Sequence, residues 1–201
     1  MTKRKVLLLV LALALLVTGV VAGVIAWMVD STSSVVNTFT PSTIKIELDE
    51  ADTDNSSDGD RDMANAYRMV PGADLAKDPT VTVKANSVDC WIFVKIEEEN
   101  NAADFLSWAI ASGWTKGDGV KIPSNVYYRE VSQSDKDQTF PVLKDNKVTV
   151  KTDVTVEDMN SLTSAANYPK LSFTAYAMQV FKSNNSEFSA ADAWAEASKL
   201  S

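Results

Sequence analysis

The sequence predicts a mainly β chain, an antiparallel β-sandwich carrying a few short helices, and three observations support it. Short runs at 43–49 and 80–84 alternate apolar and polar side chains, so every second residue faces one side. The run 90–96 is apolar on both faces, as a central strand must be. Helical spacing appears only in brief stretches, between many short strand-like segments.

Taken in order, the chain opens with Lys3, Arg4 and Lys5, followed by an uncharged run from Val6 to Val29. A basic start before an apolar helix reads as an export signal over 1–26. Gly19 and Gly23 loosen its end, and the side chains around Ala26 suit a signal peptidase, placing the cut between Ala26 and Trp27. An uncleaved anchor is the other reading, since about 18 uncharged residues can span a bilayer. Either way the positive-inside rule puts residues 30–201 outside. The membrane is then met only through the leader.

Residues 27–42 are rich in Ser and Thr, dotted with Val29, Val35, Val36 and Phe39. They read as an arm. It either adds as a donor strand to the sheet edge of another subunit or pairs as the first strand of its own sandwich, which spans 43–201. In 43–49, Ile44, Ile46 and Leu48 share a face. Residues 51–62 form an acidic, solvated loop, and 67–72 end in a turn at Pro71-Gly72. Strand 80–84 turns Val81 and Val83 inward. Strand 90–96 carries Ile92, Val94 and Ile96 on one face, with Trp91 and Phe93 on the other. A short helix over 102–112 holds Phe105, Leu106, Trp108 and Ile110. Strands follow at 126–131, 147–151 and 171–181, with one helical turn at 156–162. Ser189 and Asp192 resemble a capping box opening a last helix, where Ala193, Trp194, Ala197 and Leu200 share a face.

Composition narrows the chemistry. The whole chain has 19 basic and 27 acidic side chains. Without Lys3, Arg4 and Lys5, 16 basic residues face 27 acidic ones, a net charge of −11. That disfavours nucleic acid and anionic lipid, which need basic density. One cysteine permits no internal disulfide, so stability rests on the core. There is no histidine. Its absence removes Ser-His and Cys-His nucleophiles, the HExxH zinc signature and most zinc or copper sites.

Few candidate sites remain. Asp54, Asp58 and Asp60 stand around Gly59 like the start of a calcium loop, but the twelfth position is Asn65 rather than a bidentate Glu. A solvated loop is the preferred reading, no cofactor is expected, and calcium is the ion this pattern suits. Cys90 has no base nearby in sequence and reads as a buried structural thiol. Ser42 and Lys45 match an acyl-enzyme spacing, yet a strand points them to opposite faces. Glu97, Glu98 and Glu99 read as a charged strand end rather than half of a glycosidase pair. Trp108, Trp114, Tyr127 and Tyr128 suit core or rim packing better than a binding platform.

Several segments also resemble a known family. Gly23 to Thr32, Val36 to Thr40 and Ile44 to Leu48 are similar to the TasA/camelysin group of exported proteins of Gram-positive bacteria. So are Arg68 to Gly72, Asp78 to Val83, Trp91 to Ile96 and Phe173 to Ala177. The resemblance implies a jelly-roll sandwich, a leader cut by a dedicated signal peptidase, and a secreted or cell-surface subunit of fibres or biofilm matrix. It implies self-association, an N-terminal strand of one subunit completing the sheet of the next. The family's metallopeptidase label finds no catalytic motif here, since carboxylates alone prefer harder ions than zinc. A camelysin-like metallopeptidase and a monomeric extracellular binding module are the alternatives.

Overall fold

The computed structural model describes residues 4, 43–54, 61–184 and 186–200. The leader, its Ala26–Trp27 cut, Ser42, the arm residues Val29, Val35, Val36 and Phe39, and Asp58 and Asp60 lie outside the described residues. The described chain is mainly β, with three antiparallel sheets and three short helices. Among the described residues no helix is long and apolar enough to cross a membrane.

The first sheet has the order β2-β1-β4-β9, built from β1 (Ile46–Ala51), β2 (Arg61–Asp62), β4 (Thr80–Val83) and β9 (Gln138–Pro141). The second is β11-β5-β8-β7, from β5 (Cys90–Glu99), β7 (Thr115–Lys116), β8 (Val126–Val131) and β11 (Lys170–Gln179). A third, β3-β10-β6, joins β3 (Asp74–Ala76), β6 (Leu106–Ser107) and β10 (Lys147–Val150).

β5 is central, as its doubly apolar pattern requires. It pairs with β11 from Cys90↔Gln179 to Glu99↔Lys170 and with β8 on its other side. Its two faces feed two cores. Ile92, Val94 and Ile96 join Val81 and Val83 of β4, so the two four-stranded sheets share one apolar interior. On the opposite face, Phe93 packs with Val126 and Trp194, the latter delivered by α3 (Ala190–Ala197). Ser189 caps that helix by accepting from the Asp192 backbone N–H, as its position predicts. The Trp91 indole donates to the Phe188 carbonyl at 3.0 Å, holding the entry to α3 against the sheet.

Four expectations need correction. The helix expected over 102–112 is a single turn, α1 (Ala102–Phe105). Its N-cap Asn101 is left-handed and makes no side-chain cap bond, and one uncapped turn does not propagate. Beyond it the chain extends: Leu106 pairs with Val150, Ile110 bridges Leu143, and the Trp108 indole donates to Glu98 at 2.7 Å. The acidic loop is not wholly unpaired, because Arg61 and Asp62 form β2 against Glu50 and Ala51. The last strand stops at Gln179, with Phe181 in an isolated bridge to Glu187. The full capping box sits at α2 (Val156–Ser161), where Thr155 and Asp158 cap each other reciprocally.

Candidate functional site

The described surface carries a groove of about 800 Å³ where β1 approaches β11. Its walls are mostly apolar, with Leu48, Met69, Met159, Leu171 and Phe173 among them. The period-2 alternation of β1 explains how a polar floor arises within these walls. Ile44, Ile46 and Leu48 face inward and half-buried, and the next inward position is Glu50, 6% exposed.

A carboxylate there needs a partner. Lys77, just after β3, donates to both Glu50 oxygens at 3.0 and 2.8 Å. Its ammonium also lies 5.1 Å from the Tyr67 ring centre and 5.5 Å from that of Phe173, so two aromatic faces share the cation. The Tyr67 hydroxyl is sealed from solvent, and no partner among the described residues meets ordinary hydrogen-bond geometry. Burial pushes its pKa up to about 12. The Thr53 side chain tempers that rise without satisfying the hydroxyl, and the negative charge of Glu50, Asp78 and Asp54 adds to it.

Strand edges flank the groove. Among described strands, β2 covers β1 only at Glu50 and Ala51, leaving Ile46 to Asp49 with no ladder partner on that side. β11 ends its sheet, and no described strand pairs with its outer edge. Behind these edges lie two half-buried apolar rows: Ile44, Ile46 and Leu48 on β1, and Leu171, Phe173, Ala175 and Ala177 on β11. Edges with no ladder partner among the described strands, beside apolar rows, form a template for another strand.

At one end of the groove the carboxylates of Asp52, Asp54 and Asp62 converge, with ligand oxygens within 4.8 Å of one another. The sequence pattern found Asp54 but joined it to Asp58 and Asp60, missing Asp52 and Asp62. Asn65, the expected twelfth position, acts as a latch: it accepts from Thr53 N–H at 2.7 Å and donates to the Ala51 carbonyl. Asp54 accepts the Ala66 N–H at 2.6 Å. An all-oxygen, all-carboxylate set fits a hard cation and not a zinc peptidase centre. Next to this end, Arg61 bridges Asp49 at 2.5 Å and Asp78 at 3.1 Å.

The other sequence candidates do not meet here. Cys90 is buried, and burial, aided by the Asp89 charge, pushes its thiol up to about 11, as suits a structural thiol. Lys45 is exposed, and its backbone N–H donates to Ser87. Glu97, Glu98 and Glu99 form an exposed strand end, Glu97 pairing with Lys95 at 2.7 Å. The four aromatics form no common platform. Tyr127 packs into the inter-sheet core with Trp108 edge-on at 6.2 Å, whereas Tyr128 meets Trp91 and Phe93 on the opposite face. Trp114 is buried, its indole donating to the Pro141 carbonyl at 2.8 Å and its ring lying near the Arg129 guanidinium.

Compared with protein-family models, curated proteins and solved structures, the chain matches none.

What sequence reasoning missed was the groove's polar floor. One signal was legible: Glu50 occupies the next inward position after Ile44, Ile46 and Leu48.

Proposed function

We propose that this chain is an exported structural protein that assembles with copies of itself, or with a related subunit, outside a Gram-positive cell. In this reading the leader 1–26 directs export and is cut between Ala26 and Trp27. The two four-stranded sheets form a jelly-roll-like sandwich lacking one strand. The arm 27–42 of a neighbouring copy supplies that strand, building a surface fibre or biofilm matrix from one repeated, non-closing contact. No chemical turnover is involved.

One observation supports this reading most: among the described strands, β1 is covered on one side only at Glu50 and Ala51, and β11 has no outer partner. These edges, backed by half-buried apolar rows, flank one groove. Strand addition would satisfy the backbone edges and cover the apolar rows together. The resemblance to the TasA/camelysin group points the same way, and a chain without histidine lacks the usual means of hydrolysis.

The test compares the exported chain with a variant lacking residues 27–40, using size-exclusion chromatography and electron microscopy across a concentration series. The full arm gives concentration-dependent fibres and the shortened chain stays monomeric. Equal fibre formation by both chains refutes strand donation. A full chain monomeric at every concentration favours a binding module.

A further inference from the structure

The groove walls are mostly apolar and Glu50, Lys77 and Tyr67 form a buried polar floor, with Asp49, Asp62, Asn65, Lys170 and Ser172 also on the lining. A uniformly apolar strand would therefore bury a poor match at that floor. The Glu50 and Lys77 side chains are 8% and 12% exposed, and the sealed Tyr67 hydroxyl lacks a partner among the described residues. Lys77 has three N–H donors, and Glu50 takes two at 3.0 and 2.8 Å. That leaves one N–H of the ammonium without a carboxylate oxygen.

The arm carries a matching pattern. In an extended strand alternate residues share a face, so Val35, Asn37 and Phe39 form one row and Val36 and Thr38 the other. The first row reads apolar, polar, apolar. Over four residues it spans about 13 Å, a polar centre flanked by two large apolar side chains. The arm is followed in sequence by residue 43, three residues before β1, the strand that forms one groove wall.

We propose that Asn37 is the register key of assembly: its side-chain amide seats on the Glu50–Lys77–Tyr67 floor of a neighbouring copy while Val35 and Phe39 fill the apolar groove on either side. The proposal rests on the strand-donation reading. The amide has both functions the floor asks for. Its carbonyl accepts from Lys77, and its NH2 donates to a Glu50 oxygen. A single buried polar residue among apolar neighbours fixes register because every other register leaves a polar group unsatisfied. Sliding the strand by one residue turns the whole row to the other face.

The experiment is a cycle on the exported full chain, read as the critical concentration for fibre formation. Its members are the unaltered protein, Asn37→Leu, the paired change Glu50→Leu with Lys77→Met, and all three together. The pair is replaced as a unit because removing one charge alone strands the other. Asn37→Leu raises the critical concentration about tenfold or more, the equivalent of one lost hydrogen bond with its stranded partners. The paired change also raises it, because Asn37 then faces an apolar floor. The triple variant returns to within about threefold of the unaltered protein, since an apolar row now meets an apolar floor.

Unaltered protein that assembles, with Asn37→Leu equal to it or with additive effects in the triple variant, overturns the register key and leaves strand donation intact. Unaltered protein that never assembles overturns both. A fall in the melting midpoint of dilute Asn37→Leu monomer also overturns the proposal, because it places the amide in its own subunit's groove.

Discussion

Lys77→Met puts the groove floor to its hardest test. At an effective dielectric of about 20, charges 2.8 Å apart attract by about 6 kcal/mol. Desolvating two ions costs several kcal/mol each, so the intact pair contributes little net stability. Removing the ammonium alone leaves the Glu50 carboxylate 6% exposed and without the Lys77 cation. Breaking a buried pair in this way costs about 3–5 kcal/mol. The contacts with Tyr67 and Phe173 are lost as well, although the methionine stem retains most of the packing. For a chain of this size each kcal/mol lowers the melting midpoint by about 2–4 °C, so Lys77→Met melts about 6–20 °C below the unaltered protein. Differential scanning calorimetry at neutral pH measures it, with the Glu50→Leu, Lys77→Met pair alongside. The paired variant lies within about 1 kcal/mol of the unaltered protein or above it, because an apolar pair of similar volume carries no desolvation cost. A loss below about 1 kcal/mol for Lys77→Met, or equal losses for the single and paired variants, refutes the buried pair.

Phe93→Ala removes a fully buried ring from between β5 and α3, costing about 3–5 kcal/mol in urea unfolding. Cys90, buried and with its thiol pushed up to about 11, stays unreactive to a thiol reagent at pH 8 in the native state and reacts at once in denaturant. Asp118 accepts the backbone N–H groups of Ile122, Val120 and Lys121, which hold its carboxyl below the usual carboxylate range. A depressed folded pKa gives stability that is present above the unfolded value and lost as pH falls through the folded one. The melting gap between the unaltered protein and Asp118→Ala is therefore constant near neutrality and closes below about pH 4, as thermal scans across pH will register.

Strand β5 was legible because seven consecutive positions carry a pattern that only a strand covered on both faces satisfies, and a core cluster covers each face. β4 and β1 were legible from simple alternation. β2, β6 and β7 were not, since two residues establish no period and these strands exist only because a neighbour's edge captures them. Helical spacing over 102–112 misled for a related reason. Trp108 and Ile110 are placed by an indole bond to Glu98 and a bridge to Leu143, contacts that local spacing cannot anticipate. At the candidate site, Asp54 stood out in an acidic stretch, whereas its companions Asp52 and Asp62 are brought together by the pairing of β2 with β1. The groove draws on segments from Leu48 to Phe173. Only Glu50 carried a local clue, and its partner Lys77 lies 27 residues further on.

The ten-residue ladder between β5 and β11 has a consequence for synthesis. The central strand is complete at Glu99, yet its second neighbour begins only at Lys170. Until that late segment emerges, β5 offers a bare edge bearing some of the most apolar side chains in the protein, the kind of surface that recruits other nascent chains. Folding therefore waits for about the last sixth of the polypeptide, and a chain truncated before Lys170 is a product prone to aggregate rather than a smaller stable domain.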